Sequence, residues 1–324
     1  MSMMKAVQVP AAGKPMELVH IPIPEPKAGQ VLIRVQACGV CRGEAKIVEG
    51  WASSYPRIPG HEVVGTIEKL GQFVSKWKFG QRVGIGWDGG HCSGHHHTTA
   101  LTMDGGYAEF MVANEDALVL IPADMSSAEA APILCAGETV FSALRNSAAR
   151  AGDTVAISGI GGLGHLAIQY AKKMGFRVVA ISNGRDKEKL VRELGAHHYI
   201  DASKEDVGRK LMEMGGAKVI LATAPNGKAI NRLIPGMGKD AELIIAAVSD
   251  EDLGLSAMDF LKGPNTIRGT FTGKTEELGA ALRFSVLADV RPMIEVFPLE
   301  NAHEAFDKMM AAQTNFRAVI TMTQ

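Results

Sequence analysis

The sequence predicts an α/β protein built from two unlike parts, one antiparallel and barrel-like, the other a doubly wound parallel sheet. Three observations carry this expectation. Residues 1 to about 136 hold short apolar runs broken by Gly and Pro, among them VLIRVQACGV, EVVGTIEKL, QRVGIGW and GGYAEFMVA, the rhythm of closely spaced antiparallel strands. Beyond that point strand and helix alternate, as TVAISG, LGHLAIQYAKKMG, RVVAIS, DKEKLVRELGA and HHYID, followed by the strands AKVILAT, AELIIAAVS and NTIRGTF. Such alternation buries strands under helices on both faces of a parallel sheet. Finally, 324 residues that are 46% hydrophobic and 21% charged can fill two cores and carry no compositional sign of disorder.

The expected division is a β-rich domain over residues 1–136, an α/β domain over 137–273, and a closing stretch, 274–324, whose FRAVITM strand could rejoin the first domain. A net charge of −1 with no basic block disfavours nucleic acid as a partner, because such affinity is built from many cation–phosphate contacts. The opening MSMMKAVQVP has no apolar segment of signal type, and no run is long enough to span a bilayer. The expectation is a cytoplasmic protein that acts on a small molecule. Four cysteines, Cys38, Cys41, Cys92 and Cys135, are too few for a disulfide scaffold of this length.

Gly159-Ile160-Gly161-Gly162-Leu163-Gly164 follows a predicted strand and opens a predicted helix. In that setting Gly159 permits a tight turn, Gly161 lets backbone approach a pyrophosphate, and Gly164 lets helix pack on strand, as in a Rossmann dinucleotide site. The next strand ends in Ser182 and Asn183, with Arg185 shortly after, where an NAD site usually places an acid. Arg suits a phosphate, so the expected cofactor is NADP(H) rather than NAD(H).

Cys41 closes CGVC, His61 and Glu62 follow twenty residues later in GHE, and Cys135 lies in APILCAG just ahead of the α/β region. Thiolate and imidazole are the ligands zinc prefers, and a catalytic site takes three protein ligands with one position open. Glu62 is an additional ligand or a supporting carboxylate.

With GVC, GHEVVG, GQRVGIGW, DGGYAEF, APILCAG, GIGGLG and FRAVI in this order, the chain resembles, over essentially its whole length, the zinc-containing medium-chain dehydrogenase/reductase family. The resemblance implies a GroES-like catalytic domain beside the Rossmann domain, and hydride transfer between NAD(P)(H) and a primary alcohol/aldehyde pair. It places one catalytic zinc on Cys41, His61 and Cys135 with Glu62 close by, and makes Cys38 structural. It assigns Glu44 to orienting His61, Arg42 and Arg317 to the cofactor pyrophosphate, Thr139 to the cofactor site, and Trp51 and Trp87 to the substrate pocket. It also implies a homo-oligomer, a dimer or tetramer.

Two departures stand out. Gly43 occupies the place of a Ser or Thr whose hydroxyl normally passes the substrate proton toward solvent. The lobe that carries a four-cysteine structural zinc in many members is here reduced to HCSGHHHTTALTM with a single cysteine, so that second zinc is excluded by count. His91, Cys92, His95, His96 and His97 are expected to lie in a shortened, solvated loop. Two other readings stay open, a metal-free quinone-reductase-like oxidoreductase and a cofactor-binding protein without turnover.

Overall fold

The computed structural model describes residues 2–92, 94–247, 251–258, 265–272 and 274–322. By contact the chain divides into two units, Met1–Glu138 with Thr272–Gln324, and Thr139–Phe271.

The first unit is β-rich, with helices among its strands and in its C-terminal stretch, the longest over Thr275–Ala288. Strands β1 (Met3–Gln8) and β2 (Glu17–Pro22) pair antiparallel as a separate ribbon. They are followed by β3 (Gln30–Gly39), helix α1 (Glu44–Val48), β4 (Val63–Leu70) and β5 (Arg82–Ile85). Next come a hairpin of β6 (Asp88–Cys92) and β7 (His95–Thr98), then β8 (Phe110–Asn114), β9 (Val119–Leu120) and helix α2 (Ser127–Pro132). His91 and Cys92 therefore lie on one strand and His95, His96 and His97 on the other strand of a two-stranded sheet, rather than in a loop; short β-branched and aromatic strands announce themselves by composition, and this run of histidines does not. In the second unit helix α3 (Glu138–Arg145, its first residue still in unit one) leads to β10 (Thr154–Ser158) and helix α4 (Gly164–Lys173). Strands β11 (Arg177–Ser182), β12 (His198–Asp201), β13 (Ala217–Ala222), β14 (Met237–Ile245) and β15 (Thr266–Gly269) complete its sheet. The chain then returns to the first unit with β16 (Ile294–Pro298) and β17 (Arg317–Thr321).

A seven-stranded sheet runs β16-β17-β3-β4-β5-β9, with β8 also paired to β3. Along β3 the residues Val31, Ile33 and Val35 enter a core with Ile67, Val83, Ile85 and Met111, while Arg34 points out, the alternation of a half-buried antiparallel strand. Register decides which strand ends meet. Cys38 of β3 faces Val63 of β4 on one side and Ile320 of β17 on the other. The ends of three strands far apart in sequence are thus brought side by side.

The second unit is an all-parallel, six-stranded sheet in the order β12-β11-β10-β13-β14-β15. Its central strands read as continuous apolar runs, Val155-Ala-Ile157 and Val219-Ile-Leu221, because helices cover both faces. The order reverses between β10 and β13, the switch point where such sheets bind ligands. Helix edges are shorter than the apolar periodicity suggests: DKEKLVRELGA is helical only over Glu188–Glu193. No helix among the described residues is long and apolar enough to cross a membrane.

Candidate active site

The side chains of Cys41, His61, Glu62 and Cys135 meet in the first unit, with their ligand atoms all within 4.8 Å of one another. Strand ends supply three of the four. Gly39 N–H donates to the Glu62 carbonyl (3.0 Å) and Val40 N–H to the Ala318 carbonyl (2.9 Å), which locks the segment after β3 between β4 and β17. A Cβ at Gly39 would stand 1.8 Å from Glu62 Oε2, so glycine is required there by the carboxylate. Cys135 arrives differently. Ser126 and Glu129 form a reciprocal capping box at the start of α2, and the helix runs into a wide π turn over Ile133–Gly137 that carries Cys135 inward.

Glu44 ties the cluster together. Buried completely, it accepts from Cys41 N–H (2.9 Å) and His61 N–H (3.3 Å), and its Oε1 lies 2.6 Å from His61 Nδ1. One carboxylate thus fixes the backbone of two candidate ligands and turns the second nitrogen of the imidazole into the cluster. Trp87 stands edge-on to the His61 ring, 4.8 Å between centroids. Arg317, at the start of β17, is buried and ion-paired with Glu62 Oε1.

The electrostatics follow from burial. Loss of water pushes the Glu62 carboxyl up to about 7 against the pull of the Arg317 guanidinium. The hydrogen bond from Cys135 holds the Cys41 thiol well below its usual value, and the same contact drives Cys135 well above. Burial by itself would lower His61, but Glu44 and Cys41 beside it raise it well above an ordinary imidazole.

These residues fit a zinc ion. Two thiolates bound at about 2.3 Å in a tetrahedron stand about 3.8 Å apart, and Cys41 Sγ and Cys135 Sγ are 3.9 Å apart, far beyond the length of a disulfide. Glu62 Oε2 is buried without a hydrogen-bond partner, an arrangement that a cation beside it would satisfy.

Of the other residues singled out in this unit, Arg42 is exposed, and Trp51 is exposed with the Lys46 ammonium 4.8 Å over its ring. Cys38 is packed beside Gly60 and Tyr107, outside the cluster. Gly43 faces His61 Cε1 and Trp87: a Cβ there would meet them at 3.0 and 3.3 Å.

In the second unit the glycine turn joins β10 to α4. Gly159 has φ +93°, and a Cβ on it would meet Ala224 and Thr223 at 2.9 Å. A Cβ on Gly164 would lie 1.9 Å from the Gly159 carbonyl. At Gly161, by contrast, nothing lies within 4 Å of an added Cβ. The backbone there borders open space of the kind a pyrophosphate would fill, so the turn fits a dinucleotide. Gly162 and Leu163 complete the turn, and Thr139 is buried in α3. Ser182 is half-buried at the end of β11, Asn183 is exposed, and the exposed Arg185 sits 3.1 Å from Glu188.

Two residues here escaped the reading of the sequence. Lys187 donates to the Ile160 carbonyl of the turn (2.7 Å), and the partial desolvation of its ammonium lowers its pKa. Asp201, at the end of β12 and paired in register with Ser182, accepts from Gly184 N–H (2.8 Å) and from Ser203. The Asp closing HHYID was the available signal for the second; nothing distinguishes Lys187 from any other surface charge.

Comparisons with known proteins identify the family. Residues 27–123 match the family described as alcohol dehydrogenase GroES-like domain, and residues 162–286 match zinc-binding dehydrogenase. The alcohol dehydrogenase notN of Aspergillus sp. (strain MF297-2) is 42% identical, covering 96% of this chain and 95% of its own. An alcohol dehydrogenase of Geobacillus stearothermophilus is 37% identical, covering 98% and 99%. Among solved structures, a cinnamyl alcohol dehydrogenase of Sorghum bicolor superposes with a TM-score of 0.87 at 26% identity, over 99% of this chain and 98% of that one. With relatives this similar along nearly its full length, the chain belongs to the zinc-type medium-chain dehydrogenase/reductase family and is an NAD(P)-dependent oxidoreductase of the alcohol dehydrogenase kind.

Proposed function

We propose that this protein is a zinc-dependent alcohol dehydrogenase/aldehyde reductase for primary alcohols and aldehydes, with one catalytic zinc per chain and NADP(H) preferred over NAD(H). The observation that carries the reading is the Cys41–His61–Glu62–Cys135 cluster, in which all but the half-buried Cys41 are buried. Cys41, His61 and Cys135 would hold the ion, with Glu62 poised beside it. When bound, zinc supplies a Lewis acid for the substrate oxygen, and the nicotinamide supplies or accepts the hydride.

The chain's own residues do the positioning. Glu44 keeps the His61 ring oriented from behind through Nδ1. Arg317 balances the charge of Glu62 where no water can. Trp87 walls one side of His61 and excludes water from it. Gly43 offers no hydroxyl, so a proton leaving the substrate passes by another route, through water or a different side chain. Ser182, Asn183 and Arg185 present no carboxylate that would repel a 2′-phosphate, which supports NADP(H). The same reading makes the protein a cytoplasmic homo-oligomer, a dimer or tetramer.

The test is a metal count on purified protein together with NADPH- and NADH-dependent reduction of aliphatic and aromatic aldehydes, before and after chelation. Expected are one tightly held zinc, faster turnover with NADPH, and loss of turnover when the metal is withdrawn. Undiminished reduction by metal-free protein would discard the mechanism, and a strong preference for NADH would discard the cofactor assignment.

A further inference from the structure

The β6–β7 hairpin lies outside the cluster described above and takes no part in that chemistry. In its antiparallel register His91 stands opposite His96, and Cys92 opposite His95. Neighbouring pairs in such a ladder project to opposite faces, so the histidine-rich run is divided: His91 and His96 share one face, while Cys92 turns toward Gln30, whose Nε2 is 3.7 Å from its sulfur.

Each of the two facing histidines has its own carboxylate. His91 Nδ1 is 3.3 Å from Asp116 Oδ2, and His96 Nε2 is 2.9 Å from Asp88 Oδ1. The approach of Asp116 is built into the backbone: Gly90 has φ +70°, and a Cβ on it would collide with Asp116 Oδ1 at 2.1 Å. Asp116 also accepts from the His91 N–H at 3.0 Å. A carboxylate on one ring nitrogen sets the tautomer and directs the other nitrogen outward as an acceptor, the arrangement found behind metal-bound imidazoles. The rings lie 5.1 Å apart between centroids and are tilted by 67°, not stacked. Two imidazoles on one tetrahedral ion, each about 2 Å from it through nitrogen, have centres about 5 Å apart.

We infer that His91 and His96 form a second divalent-metal site, for Zn²⁺ or another imidazole-seeking ion of its class, with Asp116 and Asp88 orienting the rings and solvent completing the coordination. The site would clip a two-stranded ribbon, an element that is marginal on its own, across both of its strands. It is independent of the cysteine-containing cluster and stands or falls separately.

The experiment uses untagged, full-length protein equilibrated by dialysis against buffered low-micromolar Zn²⁺, with bound metal counted by mass spectrometry. Wild type is expected to carry about one zinc more than His91→Ala/His96→Ala at the same free zinc. Activity without added zinc should be equal in the two, because neither residue belongs to the proposed catalytic machinery. Both side chains are more than half exposed, so the variant is a surface change; circular dichroism confirms its fold. As a milder perturbation, Asp116→Asn should raise the free zinc needed for half-occupancy about tenfold or more. Equal zinc content in wild type and double variant, or an unshifted titration in Asp116→Asn, overturns the site.

Discussion

The cysteine–histidine cluster and the glycine turn, the two places proposed to receive a group the chain does not itself contain, are built by opposite means. The cluster works with side chains: two thiols, an imidazole, two carboxylates and a guanidinium, gathered from positions 41 to 317 and for the most part buried. The turn works with backbone and with the absence of side chains, inside a single strand–helix junction. The cluster stores its specificity in charges that are costly to unbalance, whereas the turn stores it in empty volume. Mutations should therefore separate the two, by disturbing energetics in one and occupancy in the other.

The largest effect is expected at Cys135→Ala. Turnover and bound zinc should fall together, by more than the roughly 10–100-fold that loss of an outer partner of a metal ligand costs, while unfolding temperature changes little, since a catalytic site contributes less to folding than a structural one. Kinetics and metal content measured on the same preparation check it.

Breaking the buried pair should do the reverse. Arg317→Leu leaves Glu62 fully buried without its cation, a change worth about 3–5 kcal/mol, read as a clear drop in unfolding temperature. Glu62→Gln/Arg317→Leu should recover much of that loss, because it removes both charges at once. If the single variant is as stable as wild type, the cluster is not governed by charge balance and the contrast with the turn fails.

Within the turn, two glycines predict opposite outcomes. Gly159→Ala meets Ala224 and Thr223 from a positive φ and should destabilise by about 1–3 kcal/mol. Gly161→Ala meets nothing and should leave stability within about 0.5 kcal/mol. Its cost should appear instead as a raised KM for the dinucleotide with unfolding unchanged. An unaltered KM would mean that the space beside Gly161 is not where the cofactor lies.

The last effect falls on stability alone and belongs to the capping box that leads to Cys135. Ser126→Ala should cost about 1 kcal/mol. Glu129→Gln adds a pH signature. The hydrogen bond from Ser126 holds the Glu129 carboxyl below its usual value, so its contribution is present above the ordinary glutamate range and disappears as pH falls through the depressed value. The difference in unfolding temperature between wild type and Glu129→Gln should accordingly shrink in acid.

Legibility in the residues alone divides along the same line. Cys41, His61, Glu62 and Cys135 stand out because few residue types bind metal and they recur at telling places; the Rossmann turn stands out because its glycines are local. Pairings across long stretches of chain leave no such trace. Arg317 reads as a pyrophosphate contact, and nothing in its neighbourhood of the sequence announces that its guanidinium also lies against a carboxylate 255 positions away. Gly43 reads as a missing hydroxyl, whereas the structure shows a position already hemmed in by His61 and Trp87. The histidine run reads as a solvated loop because its residues are poor strand formers, and only the register of β6 on β7 sorts it into two faces. Helix ends were similarly invisible where, as at Glu188, no side chain caps the first turn.

The second unit is inserted between two stretches of the first, and β17 completes the sheet from the far side of that insertion. During synthesis this orders events in time. Glu62 leaves the ribosome long before Arg317, and at ordinary elongation rates the 255 positions that separate them take roughly 10–50 s. Over that interval β3 and β4 can form while the carboxylate between them has no cation and the edge meant for β17 is bare. Closing that edge and balancing that charge are therefore late steps in assembling the first unit, taken only after the whole of the second has been made.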